Sequence, residues 1–247
     1  MSWSNQVFNY CERGLDPSFW AEPLNALSNA AFLVAALAAG LRLAGAGRSP
    51  GAGHVGERWV LWGLTGLVAA IGIGSFLFHT FATRWALLAD VGPITVFMLA
   101  YLAFALRVFL GLGWLAIAVG LAAFLAAGSL VSGLTCAASE AGAGAAEPCF
   151  NGSLGYLPAL LSLWGIGLVA ARRGQAAGRT LLLAGAVFLV SVVLRTLDRD
   201  LCGATHVLGH ARGTHVFWHL LNAVTLHLLL SAGIARLSPR PVEPPRR

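Results

Sequence analysis

The sequence predicts an all-α membrane protein, built as a bundle of seven transmembrane helices. Of its 247 residues, 57% are hydrophobic and only 11% are charged, whereas a soluble domain carries about 25% charged residues. The apolar residues form seven long stretches, each close to the roughly 20 residues that an α-helix needs to cross a bilayer. Arginines are concentrated in every second loop between these stretches, as expected of a chain that crosses the membrane repeatedly.

The predicted spans follow one another with short linkers, except at residues 132–154. They cover residues 24–43, 59–79, 86–107, 113–132, 155–171, 178–197 and 214–236. We expect residues 1–237 to form a single transmembrane domain, because no second domain or internal repeat is visible. Residues 238–247 are rich in Pro and Arg, which is typical of a disordered tail.

The distribution of charge predicts the orientation. One set of loops contains most of the arginines, namely Arg42, Arg48, Arg58, Arg107, Arg172, Arg173, Arg179, Arg236, Arg240, Arg246 and Arg247. The other set mixes basic with acidic residues, namely Arg13, Arg84, Arg199 and Arg212 with Glu12, Asp16, Asp198 and Asp200. Because basic residues accumulate in cytoplasmic loops, we expect the N-terminus outside and the C-terminal tail in the cytoplasm. The same rule explains the net charge of +6 without a nucleic-acid partner.

The use of arginine and cysteine indicates the compartment. All sixteen basic residues are Arg, beside abundant Ala and Gly, which is typical of a GC-rich genome and favours a bacterial inner membrane. The four cysteines, at positions 11, 136, 149 and 202, all fall on the expected outer, periplasmic face. Disulfides persist outside the cytoplasm, so an even number of cysteines on that face predicts pairing.

Two clusters of polar residues lie near the outer ends of the second and third spans. Ser75 and His79 are four residues apart and therefore share a helix face, while Gly72 and Gly74 allow a neighbouring helix to approach closely. Asp90 lies just inside the third span, where an unpaired carboxylate would be costly and needs a partner. Ionisable groups within a membrane suggest function.

A third cluster opens the seventh span. His215 and His219 are four residues apart, a spacing that lets two imidazoles bind one metal ion, and Asn222 extends the same face. With His79 they supply three nitrogens, which leaves the fourth tetrahedral position of a zinc ion open for water. The sequence therefore predicts a catalytic zinc site.

The remaining polar residues suggest how such a site would act. Asp90 would orient the water or act as general base and acid, and Ser75 would donate a hydrogen bond to an oxyanion. Together they predict a metal-assisted hydrolase whose substrate arrives from the lipid. His79 alone or Ser75 alone would more often serve helix packing, and His206 with His210 remains an alternative metal pair.

Four groups of residues, in this order, resemble the alkaline ceramidase family, part of a wider group of seven-helix membrane hydrolases that includes the adiponectin receptors. They are residues 10–12 with 22–29, residues 74–79 with Asp90, residues 198–202, and residues 215–219. The resemblance covers nearly the whole chain, and the four groups lie in register with the seven spans.

The resemblance implies a function and a set of roles. It implies zinc bound by His79, His215 and His219, with Ser75 and Asp90 as the catalytic residues. It also implies hydrolysis of the amide bond of ceramide or a similar N-acyl lipid, giving a fatty acid and a sphingoid base. We predict a membrane lipid as substrate and no protein partner.

Calcium is a second cofactor that the resemblance raises. Eukaryotic members carry a calcium site in the N-terminal segment, and Glu12 and Glu22 match it, with Asp16 as a substitute ligand. Asn9 and Gly14 stand near positions where that site has an acidic residue and an asparagine. Losing a carboxylate weakens a calcium site, so the sequence allows calcium without requiring it.

The resemblance also places cysteines at positions 11 and 202, which implies a Cys11–Cys202 disulfide and leaves Cys136–Cys149 as the second pair. The alternatives are Cys11–Cys136 with Cys149–Cys202, and Cys11–Cys149 with Cys136–Cys202.

Two other functions remain open. One keeps the chemistry and changes the substrate to another N-acyl lipid or a lipid ester. The other is a seven-helix receptor or transporter, which would need neither a metal nor aligned Ser, Asp and His residues.

Overall fold

A computed structural model describes residues 2–46, 54–136, 147–207 and 209–237. Its helices are α1 (Pro23–Ser28), α2 (Ala30–Ala46), α3 (Val55–Phe81), α4 (Arg84–Val108), α5 (Trp114–Ser132), α6 (Leu157–Arg172), α7 (Ala176–Thr196) and α8 (His215–Ile234). Within these ranges, seven helical segments are long and apolar enough to cross a membrane, which confirms the predicted all-α, seven-helix architecture. The tail predicted for residues 238–247 lies outside the described residues.

The first span consists of two helices. The structure separates α1 from α2 at Asn29, whose side-chain amide donates to the backbone carbonyl of Asn25 at 2.8 Å. Proline stands at the first position of α1, where its missing N–H costs nothing. The fifth span likewise begins with a 3₁₀ segment, Cys149–Tyr156, which leads into α6.

The bundle is held together by two packed groups of helices. In the first, α3 packs against α4 and α2, and in the second α7 packs against α6 and α8. Contact between α2 and α8 joins the groups. Along α2 the side chains of Leu33, Leu37 and Leu41 are exposed, as a helix that faces lipid requires. The fourth span, α5, is the most peripheral, since only Ile117 among its residues is buried.

The closest approach between α3 and α4 is at Gly74. A Cβ atom at this position would overlap the backbone carbonyl of Ala89. Pro93 lies inside α4 and has no N–H to bond that carbonyl, four residues earlier. The absence of a side chain at Gly74 therefore allows the two backbones to approach, and the next residues, Ser75 and Asp90, come to lie side by side.

One end of the bundle carries the predicted site residues, and we call it the histidine end: the end of α3 and the starts of α4 and α8. Residues 2–22, the N-terminal segment, cover it. The backbone N–H of Val7 donates to the carbonyl of Ala82 at 2.6 Å, and Gln6 pairs with Thr83.

Two disulfides lie at the same end of the bundle. Cys11 is bonded to Cys202, with Cα atoms 5.5 Å apart, and Cys136 is bonded to Cys149. The first ties the N-terminal segment to the loop between α7 and α8. The second joins β1 (Thr135–Cys136) to the residue after β2 (Glu147–Pro148), which is paired with β1.

Candidate metal-hydrolase site

Three buried histidines meet at the histidine end. Each is at most 1% exposed, and each offers a ligand atom that lies within 4.8 Å of those of the other two. The ring centroids of His215 and His219 are 4.6 Å apart, and that of His79 lies 5.2 and 4.7 Å from them respectively. Across the described ranges, no other group of three His, Cys, Asp or Glu side chains meets this distance.

The start of α8 is held in place by a buried carboxylate. Asp198 is 0% exposed, and its Oδ1 accepts hydrogen bonds from the backbone N–H groups of Thr214 and His215 at 2.7 and 2.8 Å. Its Oδ2 accepts from the backbone N–H of Cys11 at 2.9 Å. An acidic group at a helix N-terminus is favoured both by these donors and by the helix dipole. One side chain thus positions both the first turn of α8 and the N-terminal segment.

Second partners fix the orientation of two of the imidazoles. Nδ1–H of His79 donates to Oε2 of Glu22 at 2.6 Å. Nδ1 of His219 lies 2.7 Å from the hydroxyl of Ser28. Because that hydroxyl already donates to the carbonyl of Asn25, it accepts from the imidazole. Both rings are therefore held at Nδ1, which leaves Nε2 for a metal ion, as in metal-binding histidines whose other nitrogen has an outer partner.

The ring nitrogens that remain fit a metal ion. Nε2 of His79 and Nδ1 of His215 are buried and have no hydrogen-bond partner within the described residues. Buried polar atoms are nearly always paired, so nitrogens without a partner in one cluster indicate a ligand. Three imidazoles with one open position are the donor set of a catalytic zinc site.

Glu22 has a charged neighbour as well as His79. Its Oε1 accepts from Nε of Arg13 at 2.5 Å, and its Oε2 also accepts from the amide of Asn25 at 3.1 Å. Burial by itself raises the pKa of Glu22, but the hydrogen bonds from His79, Arg13 and Asn25 lower it below the ordinary value of 4.5. The carboxylate is therefore charged and is a strong acceptor for the imidazole.

Tyr10 covers the histidine cluster. Its ring stacks on that of His215, with centroids 3.7 Å apart and planes inclined by 22°, and its hydroxyl lies close to Arg195. Burial raises the pKa of Tyr10, so the phenol stays neutral. The guanidinium of Arg195 also lies over the rings of Tyr156 and Trp218, 5.5 and 5.7 Å from their centroids. These contacts wall in the site on the side of α7.

Ser75 and Asp90 lie together beside the cluster. They are 3% and 7% exposed, and the hydroxyl of Ser75 lies close to the carboxyl group of Asp90. Oδ1 of Asp90 is buried and has no hydrogen-bond partner among the described residues. The predicted catalytic residues are thus brought next to each other, as the Gly74 contact requires.

A cavity runs from this polar group into the bundle. Ser75, Asp90 and His219 line its polar end. Along α4 its lining extends from Asp90 to Ala105, a length of about 22 Å at the rise of an α-helix. The rest of its wall is mainly apolar and includes Phe32, Ile94, Phe97, Phe124, Leu163, Ile166, Leu181, Phe188, Leu226 and Leu229.

The three acidic residues considered for calcium are not brought together as a ligand group. Glu12 accepts from Arg212 at 3.1 Å and from two backbone N–H groups at the start of α1. Glu22 bonds Arg13 and His79, and Asp16 is exposed, accepting from the N–H of Ser18. That backbone hydrogen bond lowers the pKa of Asp16.

The alternative metal pair lies apart from the cluster. His206 and His210 are both exposed. They belong to the two-residue strands β3 (His206–Val207) and β4 (His210–Ala211), which pair antiparallel between α7 and α8. Neither belongs to a three-residue ligand group within the described residues.

Sequence reasoning missed the residues that support the site. The sequence suggested a calcium-binding role for Glu22 and no role in the metal site for Ser28, Asp198 or Arg13. The one indication in the sequence was that Glu22, Ser28 and Asp198 fall within the groups that carry the resemblance. Nothing in the sequence marked Arg13 as buried.

Comparison with known families agrees with this geometry. The model of the Ceramidase family matches residues 5–237, a range that includes all seven spans, the three histidines and both disulfides. The comparison with individual curated proteins found no match. Since the matched region is nearly the whole chain, the protein belongs to the Ceramidase family.

Proposed function

We propose that this protein is a zinc-dependent intramembrane lipid amidase that hydrolyses ceramide or a similar N-acyl lipid to a fatty acid and a free amine. One observation carries the proposal. Three buried histidines, whose ligand atoms lie within 4.8 Å of one another, adjoin Ser75 and Asp90 at the polar end of a long apolar cavity. Membership of the Ceramidase family supports the choice of an amide bond.

The donor set supports zinc as the metal. Imidazole nitrogens suit zinc, whereas calcium and magnesium prefer oxygen ligands. His79, His215 and His219 would hold the ion. A zinc ion bound in this way supplies a Lewis acid and makes hydroxide available at near-neutral pH.

The side chains around the metal site would move the protons of the reaction. Asp90 would take a proton from the attacking water as a C–O bond forms at the amide carbon. It would return that proton to the amide nitrogen as the C–N bond breaks, which releases the amine and a carboxylic acid. The hydroxyl of Ser75 would turn from Asp90 to donate to the carbonyl oxygen while it carries negative charge.

The cavity supports a substrate with a long acyl chain. Its length of about 22 Å along α4 exceeds half of a hydrocarbon core that is about 30 Å thick. An acyl chain lying along the cavity would bring its carbonyl group to Ser75, Asp90 and His219 at the polar end. Because the walls are apolar, burying the chain would be favourable at each methylene.

Turnover by purified protein tests the function. The protein should release fatty acid from ceramides and carry one zinc per chain. Ser75→Ala should lower turnover by a factor on the order of 10²–10³, the effect of losing an oxyanion donor. Asp90→Asn, which removes the general base, should lower turnover at least as much, and zinc should stay bound in both variants. Ser162→Ala removes a hydroxyl from α6 on the same cavity wall and is the matched control.

The same assay distinguishes the rival functions. Faster turnover of another N-acyl lipid or of lipid esters would assign the protein a different substrate but the same metal-assisted hydrolysis. Protein that carries no metal and hydrolyses none of these lipids would refute the amidase and favour a receptor or transporter.

We also propose that the histidine end faces the periplasm of a bacterial inner membrane. The arginines predicted to be cytoplasmic support this orientation, since Arg42, Arg58, Arg107 and Arg172 lie towards the ends of spans remote from the histidine end. A cysteine introduced between Leu43 and Glu57 should resist impermeant thiol reagents in intact cells. Labelling of that cysteine from outside would show that the orientation is the opposite of the one proposed.

A further inference from the structure

The guanidinium of Arg13 is enclosed by oxygen atoms at the histidine end. The Arg13 side chain is 0% exposed, and its N–H groups make five hydrogen bonds. The acceptors are Glu22 Oε1 at 2.5 Å, the carbonyls of Asp16 and Ser18 at 3.1 and 2.8 Å, and the carbonyls of His79 and Thr80 at 2.9 and 3.1 Å. These are all the donors that a guanidinium has.

This environment is chemically that of a hard cation. One carboxylate and four backbone carbonyls converge on a single positive charge, and calcium is bound by the same kinds of oxygen ligand, in sets of about 6–8. Here the oxygens already bond a cation that belongs to the chain. Glu12, the other carboxylate that matches the calcium site of the eukaryotic members, is paired instead with Arg212. The residues present therefore do not fit a calcium ion.

The contacts of Arg13 also reach the metal site. Glu22 bridges Arg13 and His79, because Oε1 bonds the guanidinium and Oε2 bonds the imidazole. Nη2 of Arg13 also donates to the backbone carbonyl of His79. The guanidinium therefore restrains His79 at two points, at the imidazole through Glu22 and at the backbone carbonyl directly.

We propose that Arg13 is a built-in cation that takes the place of calcium in the N-terminal segment and positions His79 through Glu22. The protein therefore neither binds calcium at this place nor depends on it. The positioning role rests on the proposed metal site, whereas the independence from calcium does not.

Calcium binding and thermal unfolding of the purified, zinc-loaded protein test the first half. Wild-type protein should show no saturable binding of radioactive calcium, and calcium should leave its melting temperature unchanged. Saturable calcium binding with a rise in melting temperature would overturn the proposal. Because neither readout uses a lipid substrate, failure of the amidase proposal would not affect the result.

Substitution of Arg13 tests the positioning role. Arg13→Ala leaves Glu22 buried without its cation, which should lower the melting temperature by on the order of 10 °C and weaken zinc binding at least tenfold. Arg13→Lys keeps the charge but has too few donors for the five acceptors, so it should recover only part of the zinc affinity. Arg212→Ala is the control, since it removes a guanidinium from the same region that does not contact Glu22 or His79.

Two results would refute the positioning role. One is zinc affinity in Arg13→Ala equal to that of Arg212→Ala. The other is loss of melting temperature alone in Arg13→Ala, with the visible spectrum of cobalt-substituted protein unchanged from wild type, because a purely structural arginine would leave the metal geometry intact.

Discussion

Removing the carboxylate of Asp198 should destabilise the histidine end and weaken metal binding together. This side chain is buried and accepts three backbone hydrogen bonds, from Cys11, Thr214 and His215. In Asp198→Ala all three N–H groups lose their partner. In Asp198→Asn, Oδ1 can still accept two of these bonds, but an NH₂ group then faces the N–H of Cys11.

The expected magnitudes follow from the count of hydrogen bonds. Each bond to a charged group contributes about 1.5–3 kcal/mol, so Asp198→Ala should lower the free energy of unfolding by roughly 4–9 kcal/mol. Asp198→Asn loses one bond and weakens the other two from charged to neutral bonds, and should cost roughly 3–6 kcal/mol. For a chain of this size each kcal/mol lowers the melting temperature by about 2–4 °C.

Thermal unfolding and zinc content of the purified variants measure both effects. Zinc affinity should be highest in the wild type, lower in Asp198→Asn and lowest in Asp198→Ala, because Asp198 fixes the first turn of α8 at His215. Asp200→Asn changes an exposed carboxylate in the same loop and should match the wild type. A melting temperature for Asp198→Asn equal to that of Asp200→Asn, with normal zinc affinity, would show that Asp198 does not hold α8.

Three further predictions concern packing, the metal and the disulfide. Gly74→Ala should push α3 away from the carbonyl of Ala89 and reduce turnover. Gly92→Ala, with nothing within 4 Å of its Cβ position, should leave turnover unchanged. Equal turnover by the two variants would show that the close contact at Gly74 does not support activity. His219→Ala should abolish zinc binding and turnover, and full zinc content by elemental analysis would place the metal elsewhere. Replacing Cys11 by Ser should lower the free energy of unfolding by about 5 kcal/mol at most, the limit for a long closed loop, and an unchanged melting temperature under non-reducing conditions would contradict it.

Span boundaries were predictable because they depend on local composition. The third span was expected at 86–107 and lies at Arg84–Val108, and the seventh was expected at 214–236 and lies at His215–Leu237. A bilayer requires about 20 apolar residues in a row, a requirement that can be read without knowing any neighbour. The break at Asn29 was not predicted, because hydropathy does not detect a local change of helix direction.

Part of the site was also visible in the sequence. His215 and His219 share a helix face by the period of the α-helix alone. The inclusion of His79 rested on its matching depth, and the structure brings its ligand atom within 4.8 Å of theirs. The assignment of Glu22 to a possible calcium site came from the resemblance, and a matching position tells which residue is present but not what it contacts.

The sequence by itself determined the number and length of the spans, the histidine pair on one helix and the set of polar residues at one end. Only the tertiary structure decided that Arg13 bonds Glu22 and that Asp198 bonds both the start of α8 and Cys11, which lies 187 positions before Asp198 in the chain. It also decided where the cavity lies. Helix period and hydropathy are properties of neighbouring residues, whereas these contacts depend on how α3, α4 and α8 pack, and a single close approach such as Gly74 to Ala89 sets which side chains meet.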